Sequence, residues 1–194
     1  MEKVQTKSLV CKTWKTKTVA AILAVIGAVA IPQLFHYIGM ITNVGSNFGA
    51  TFLPMHFTIF LVGYFAGAWA GLASGLASPA ISFMLTLALG RPMPSLASLP
   101  FMIIELGIYG LATGIFSQYF HSRKLPTIAT LLIAQIAGRA VRALAIVIGV
   151  FVFSASINVS TIWVSIYQGL PGLILQWIIV PLLVYYVERK AEGE

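Results

Sequence analysis

Long apolar runs broken by short polar segments set the pattern of this chain. The runs cover residues 18–40, 53–68, 69–89, 100–120, 126–153 and 162–187. Crossing a hydrocarbon core of ~30 Å takes about 20 residues of helix. The first run has that length, and the second is shorter, with Pro54 and His56 in its first turn. Pro32 is expected to kink the first helix, and Pro79 lies inside the third. The breaks are distinctive. Residues 42–51 are polar, glycine-rich and uncharged, 67–71 is a tight apolar connection, 90–99 contains Pro92 and Pro94, and 154–161 is polar without charge. The pattern predicts an all-α integral membrane protein of six transmembrane helices. The single membrane domain spans 18–187, after a basic segment at 1–17 and before a short tail at 188–194. No internal repeat and no second domain are visible.

Composition strengthens this reading. The chain is 59% hydrophobic and only 9% charged, where soluble domains carry about 25% charged residues. So few charges cannot cover a water-soluble fold of 194 residues. The net charge of +7 would suit nucleic acid, but its distribution has another cause. With the N-terminus in the cytoplasm, Lys3, Lys7, Lys12, Lys15, Lys17, Arg123, Lys124, Arg189 and Lys190 all flank spans on the cytoplasmic side, and only Arg91 falls outside. That bias places both termini in the cytoplasm and removes the case for nucleic acid. The first run is too long for the ~7–15-residue core of a signal peptide, so it reads as an uncleaved helix. Cys11, the only cysteine, cannot form an internal disulfide and reads as a free cytoplasmic thiol.

Chemistry concentrates in residues 45–110, where His56, Glu105, serines, prolines and glycines interrupt apolar sequence. Polar groups and broken backbone persist within a bilayer only where protein or a cavity satisfies them, so a ligand site is sought here. Glu105 is the only acid within the spans, and an ionisable group there is a functional candidate by default. At 1.5 Å per residue it lies about 8 Å below the outer surface, and Arg139 about 10 Å below it. Two readings follow: an ion pair joining helices 4 and 5, or a binding group for a polar substrate. Arg142 is one turn further out on nearly the same face, where snorkelling to the interface is the plainer role. His56 follows Asn43, Ser46 and Asn47. His36 is near the outer end of helix 1, but two histidines alone make a weak metal signal, and no metal is expected. Trp163 and Tyr167 open helix 6, where they suit an aromatic belt or a pocket wall. Gln176 is deep enough for an interhelical hydrogen bond. Ala20, Ala24 and Ala28, four apart, let another helix approach closely, either from this chain or from a partner. Enzyme patterns are absent. Gly71-Leu72-Ala73-Ser74-Gly75 lacks the spacing of a serine nucleophile turn, there is no phosphate loop, and the chain contains no Asp.

The size, the basic N-terminus, the alanine stripe and the central sequence LPMHFTIFLVGYFAGAWAGLASGLASPAISFMLTLALGRPMP, followed by LPFMIIELGIYGLATGIF, resemble the S components of energy-coupling factor (ECF) vitamin transporters. The resemblance covers roughly residues 18–187. Its markers are Pro-Met-His opening helix 2 and Glu-Leu-x-x-Tyr-Gly in helix 4. It implies a subunit of the bacterial cytoplasmic membrane that captures a vitamin or vitamin precursor at the outer face, under loops 42–51, 90–99 and 154–161. It further implies docking through Ala20, Ala24 and Ala28 onto a transmembrane T component driven by two ATPases, so that ATP is hydrolysed on the partners and this chain carries no cofactor. Branches like this one are associated with cobalamin or its nucleoside precursor, among other vitamin-related compounds.

Together these readings describe a capture subunit rather than an enzyme. His56, Glu105, Asn43, Asn47 and Arg139 would hydrogen-bond the ligand, and Phe52, Trp163 and Tyr167 would stack on it. The rival reading is an autonomous proton-coupled secondary transporter of a small polar solute using Glu105 and Arg139. The lack of a second intramembrane acid and of an internal repeat weighs against it.

Overall fold

The computed structural model describes residues 13–42, 51–90, 92–122 and 126–192. Among these residues all regular structure is helical, in the order α1 (Trp14–Ile41), α2 (Pro54–Ala66), α3 (Ala68–Ala88), α4 (Leu99–Ser122), α5 (Thr127–Phe153) and α6 (Thr161–Glu192). Asn43, Asn47, Cys11, Arg91, Arg123 and Lys124 lie outside the described residues. Five of the six helices are long and apolar enough to cross a membrane, and α2 is the exception. Helices α1 and α6 each run about a turn beyond the expected apolar core, taking in Lys15 and Lys17 at one end and Arg189 and Lys190 at the other.

Helix α2 has 13 residues, about 20 Å at 1.5 Å per residue. It can be short because it sits at the centre. It packs against α1, α3, α4 and α6, and ten of its residues are buried. A helix apolar on every side belongs inside a bundle. Ile59 and Phe60 are fully buried there, packed with Leu106, Tyr109 and Leu131. The outer helices instead turn apolar side chains outward, for example Ile22, Leu23 and Ile26 on α1, Phe151 on α5 and Leu182 on α6, as a lipid-facing surface requires.

Two features join α2 to its neighbours. Gly67 alone separates α2 from α3, with φ +97° and ψ 176°. Only glycine adopts that conformation readily, and its N–H still bonds the Gly63 carbonyl at 3.1 Å. Beyond it, α3 and α4 meet along glycines. A Cβ on Gly71 would overlap the Gly110 carbonyl, and one on Gly75 would overlap the Leu106 carbonyl. The bare backbones bring the two helices into close contact.

The alanine stripe of α1 faces inward, toward α2 and α3. Ala28 is wholly buried in the central core. Ala24 packs with Val62 and Ala66, and Ala20 lies half-buried against that cluster. The small side chains let α1 close onto α2 and α3, and the Ser74 hydroxyl donates to the Ala21 carbonyl at 3.4 Å. The exposed face of α1 carries Val19, Ile26, Leu34 and Tyr37 instead.

Candidate functional site

A cavity of about 450 Å³ opens at the end of the bundle where α2 begins. All six helices reach it. Pro32, Gln33 and His36 come from α1, Met55 and His56 from α2, Ser82 from α3, Met102 and Glu105 from α4, Arg139 and Arg142 from α5, and Ser165 and Gln168 from α6. Met93, Pro94, Ser95 and Ser98 close one side. That loop is tied to α3. The Met93 N–H donates to Thr86 Oγ1 at 2.8 Å, and the Ser82 hydroxyl donates to the Met93 carbonyl at 3.2 Å.

The cavity holds a charged cluster inside an otherwise apolar bundle. Glu105 is 1% exposed, and its Oε2 accepts a hydrogen bond from Arg142 Nη1 at 2.7 Å. Its other oxygen, Oε1, faces His56 Nε2 at 3.4 Å. The His56 ring stands edge-on to Tyr109, centroids 5.4 Å apart. Arg139 does not pair with Glu105. Its Nη1 donates to the Ser165 carbonyl at 3.3 Å, and its Nη2 lies over Gly169, where a Cβ would come within 2.9 Å. The expected Glu105–Arg139 pair is therefore replaced by Glu105–Arg142, for a reason of helix rotation. Gly138 faces α4, its position for a Cβ only 3.2 Å from the Glu105 carbonyl oxygen. Arg142 is one turn further along that face, while Arg139, one residue on from Gly138, is turned toward α6.

Beneath the cluster, a polar network fixes the elements that hold it. The Tyr109 hydroxyl and Gln135 Nε2 both donate to Gln176 Oε1, at 3.3 Å and 3.2 Å. Gln176 Nε2 donates in turn to the Leu53 carbonyl at 3.3 Å, and Trp177 Nε1 donates to Gln135 Oε1 at 2.8 Å. Gln176 thus makes the interhelical bonds expected of it. It also secures Leu53, the residue before Pro54, in a left-handed conformation with φ 50°. A non-glycine residue there costs on the order of 1–3 kcal/mol, and a residue preceding proline normally stays extended.

Of the residues expected to bind ligand, His56, Glu105 and Arg139 line the cavity together. Trp163 and Tyr167 do not. They are 74% and 80% exposed on the outer face of α6, because the helical period that turns Ser165 and Gln168 into the cavity turns these two away. Phe52 packs against Phe35 with centroids 5.7 Å apart and is not part of the lining. Loop 154–161 contributes nothing to the lining either. Arg142, Gln33 and Ser165 are among the lining residues that the sequence did not assign to the ligand. The signal for Arg142 was available, since Glu105 falls between Arg139 and Arg142 in depth, but depth alone cannot choose between them. Among the described residues, no three His, Cys, Asp or Glu side chains converge as a metal site would require.

No curated protein and no solved structure matches this chain. A family model for the substrate-specific component of ECF transporters matches residues 15–184. That match takes in four helices whole, most of α1 and α6, and every cavity-lining residue, and the chain therefore belongs to the ECF transporter substrate-specific component family.

Proposed function

We propose that this multi-pass membrane protein captures a vitamin or vitamin precursor in the cavity at the start of α2 and delivers it inward with a T component and two ATPases that hydrolyse the ATP. The observation that carries the reading is the buried cluster of Glu105, His56, Arg139 and Arg142 within that cavity. Ionisable groups in a membrane domain are costly to maintain without a task. Six spans with both termini in the cytoplasm fit the charge pattern. The cavity is formed by the C-terminal half of α1 and the N-terminal turns of α6, while Lys15, Lys17, Arg189 and Lys190 lie at the opposite ends of those helices, so the cavity faces outward under the positive-inside rule. Ligand sites commonly enclose about 300–1,000 Å³. At about 450 Å³ this one supports a compact vitamin or precursor rather than a whole cobalamin. The lining would act by hydrogen bonding from His56, Glu105, Arg142 and Gln168, with Met55, Met93 and Met102 against the apolar parts.

The test is co-expression with a T component and two ATPases, purification, and mass spectrometry of what denaturation releases. A vitamin-like molecule at near-stoichiometric yield, and ATP-dependent uptake of it into proteoliposomes, are the expected results. Uptake by this chain alone without ATP would favour a secondary transporter, and no bound molecule at all would refute capture.

A further inference from the structure

The charges of the cavity do not cancel. Its titratable lining is His36, His56, Glu105, Arg139 and Arg142. Glu105 is the one carboxylate among them. One of its oxygens accepts from Arg142 Nη1 at 2.7 Å, and the other faces His56 Nε2 at 3.4 Å. Among the described residues no second carboxylate approaches Arg139. Its Nη1 has a neutral backbone carbonyl as partner, and its Nη2 is buried with no acceptor among those residues. Arg142 Nε is also buried without an acceptor. Two guanidinium cations stand against one carboxylate.

The chain holds no remedy. A guanidinium group stays protonated in proteins, so Arg139 cannot shed its charge on burial as a lysine would. A buried unpaired charge is costly, and a buried N–H without an acceptor adds to that cost. The remaining acids of the chain are Glu2, Glu188, Glu192 and Glu194, all close to its ends, and the segments 43–50 and 91 contain none. Glu188 accepts from Tyr64 at the opposite end of α2. The described residues supply no second negative charge to this cavity, which leaves that place to a ligand.

We infer that the captured molecule carries an oxyanion, a carboxylate or a phosphate group, bound by Arg139 and Arg142 where they line the cavity. The inference rests on the capture reading and narrows its substrate class. The planar guanidinium fork matches both oxyanions, and hydrogen bonds between ionised partners are the strong ones. Glu105 then serves to hold Arg142 in place and to offset one of the two guanidinium charges, leaving a site that favours an anion and disfavours a cation.

The purified protein is titrated calorimetrically at neutral pH with probes in matched pairs. Biotin with biotinamide, pantothenate with panthenol, and nicotinate with nicotinamide test the carboxylate. Pyridoxal phosphate with pyridoxal, and thiamine monophosphate with thiamine, test the phosphate. The compound released from the co-purified complex is titrated beside them. In the pair that binds, the anionic member is expected to be about 10- to 100-fold tighter. The pair in which this appears tells carboxylate from phosphate. Arg139→Gln should remove most of that preference, and Arg139→Lys, which keeps the charge, should retain part of it. A neutral or cationic ligand, or an anion held equally well by Arg139→Gln, overturns the inference and leaves capture intact. If neither the probes nor any released compound binds, the capture reading falls and the inference falls with it.

Discussion

Breaking the buried pair between Glu105 and Arg142 should cost more than any surface ion pair could. The Glu105 side chain is 1% and the Arg142 side chain 16% exposed, with the charged groups 2.7 Å apart. Removing one partner from a buried pair costs about 3–5 kcal/mol, because the other charge stays in a medium that cannot solvate it. The two single substitutions leave different remainders. Glu105→Gln leaves Arg142 and Arg139 in one cavity without a carboxylate, so its cost belongs near the top of that range. Arg142→Met leaves Glu105 with His56 at 3.4 Å and Arg139 in the same cavity, so its cost belongs near the bottom. The double variant removes both charges and should be milder than the sum by about 2–3 kcal/mol, within the span measured for contacting residues. The assay is equilibrium unfolding of ligand-free protein in detergent, titrated with SDS, for wild type, both singles and the double. If each single costs under about 1 kcal/mol, as exposed pairs do, or if the effects simply add, then the pair is not the buried, coupled unit described here.

Three further outcomes follow from the packing. Gly75→Ala would drive a methyl into the Leu106 backbone, where nothing flexible can yield, so stability should fall by about 3 kcal/mol; Gly27→Ala, whose Cβ would meet side-chain methyls alone, Thr58 Cγ2 at 3.3 Å and Ile31 Cδ1 at 3.9 Å, should melt close to wild type in the same experiment. Gly169→Ala places a methyl 2.9 Å from Arg139 Nη2 and should weaken ligand binding by calorimetry while the ligand-free melting temperature changes little. Tyr64→Phe deletes the hydroxyl that donates to Glu188 at 3.2 Å and meets Thr127 at 3.4 Å; it should lower stability by about 0.5–1.5 kcal/mol in unfolding titrations, with unaltered ligand affinity because it lies at the far end from the cavity.

The helices were legible because each is an apolar run between polar breaks, and the signal needs no partner to be read. Helix α2 announced itself by being short. What the pattern could not carry was rotation about each helix axis. Arg139 and Arg142 are three residues apart, and which one meets Glu105 depends on Gly138 letting α4 and α5 close. The spacing of Ala20, Ala24 and Ala28 reveals a close helix approach but not its direction, and the direction proved to be inward. Trp163 and Tyr167 mislead for a related reason. Aromatics at the end of a span suit an interface or a pocket equally well in sequence, and exposure decides between them. The polar network under the site was half visible, since Gln176 was singled out, yet its partners Tyr109, Gln135 and Leu53 come from three other segments.

The shortness of α2 also sets the capacity of the site. A helix of 13 residues falls about 10 Å short of a ~30 Å hydrocarbon core. A missing cylinder of that length and about 10 Å across is roughly 800 Å³, the same order as the cavity of about 450 Å³ plus the chain over 51–53 that shares the space. Room for the ligand is thus made by starting a helix late, with Pro54 marking the start and Gln176 holding the preceding carbonyl. Adding or removing residues ahead of Pro54 would resize the chamber while leaving the glycine seam and the central core alone. Cargo size and bundle stability can then change independently, a separation that suits a scaffold reused for different cargoes.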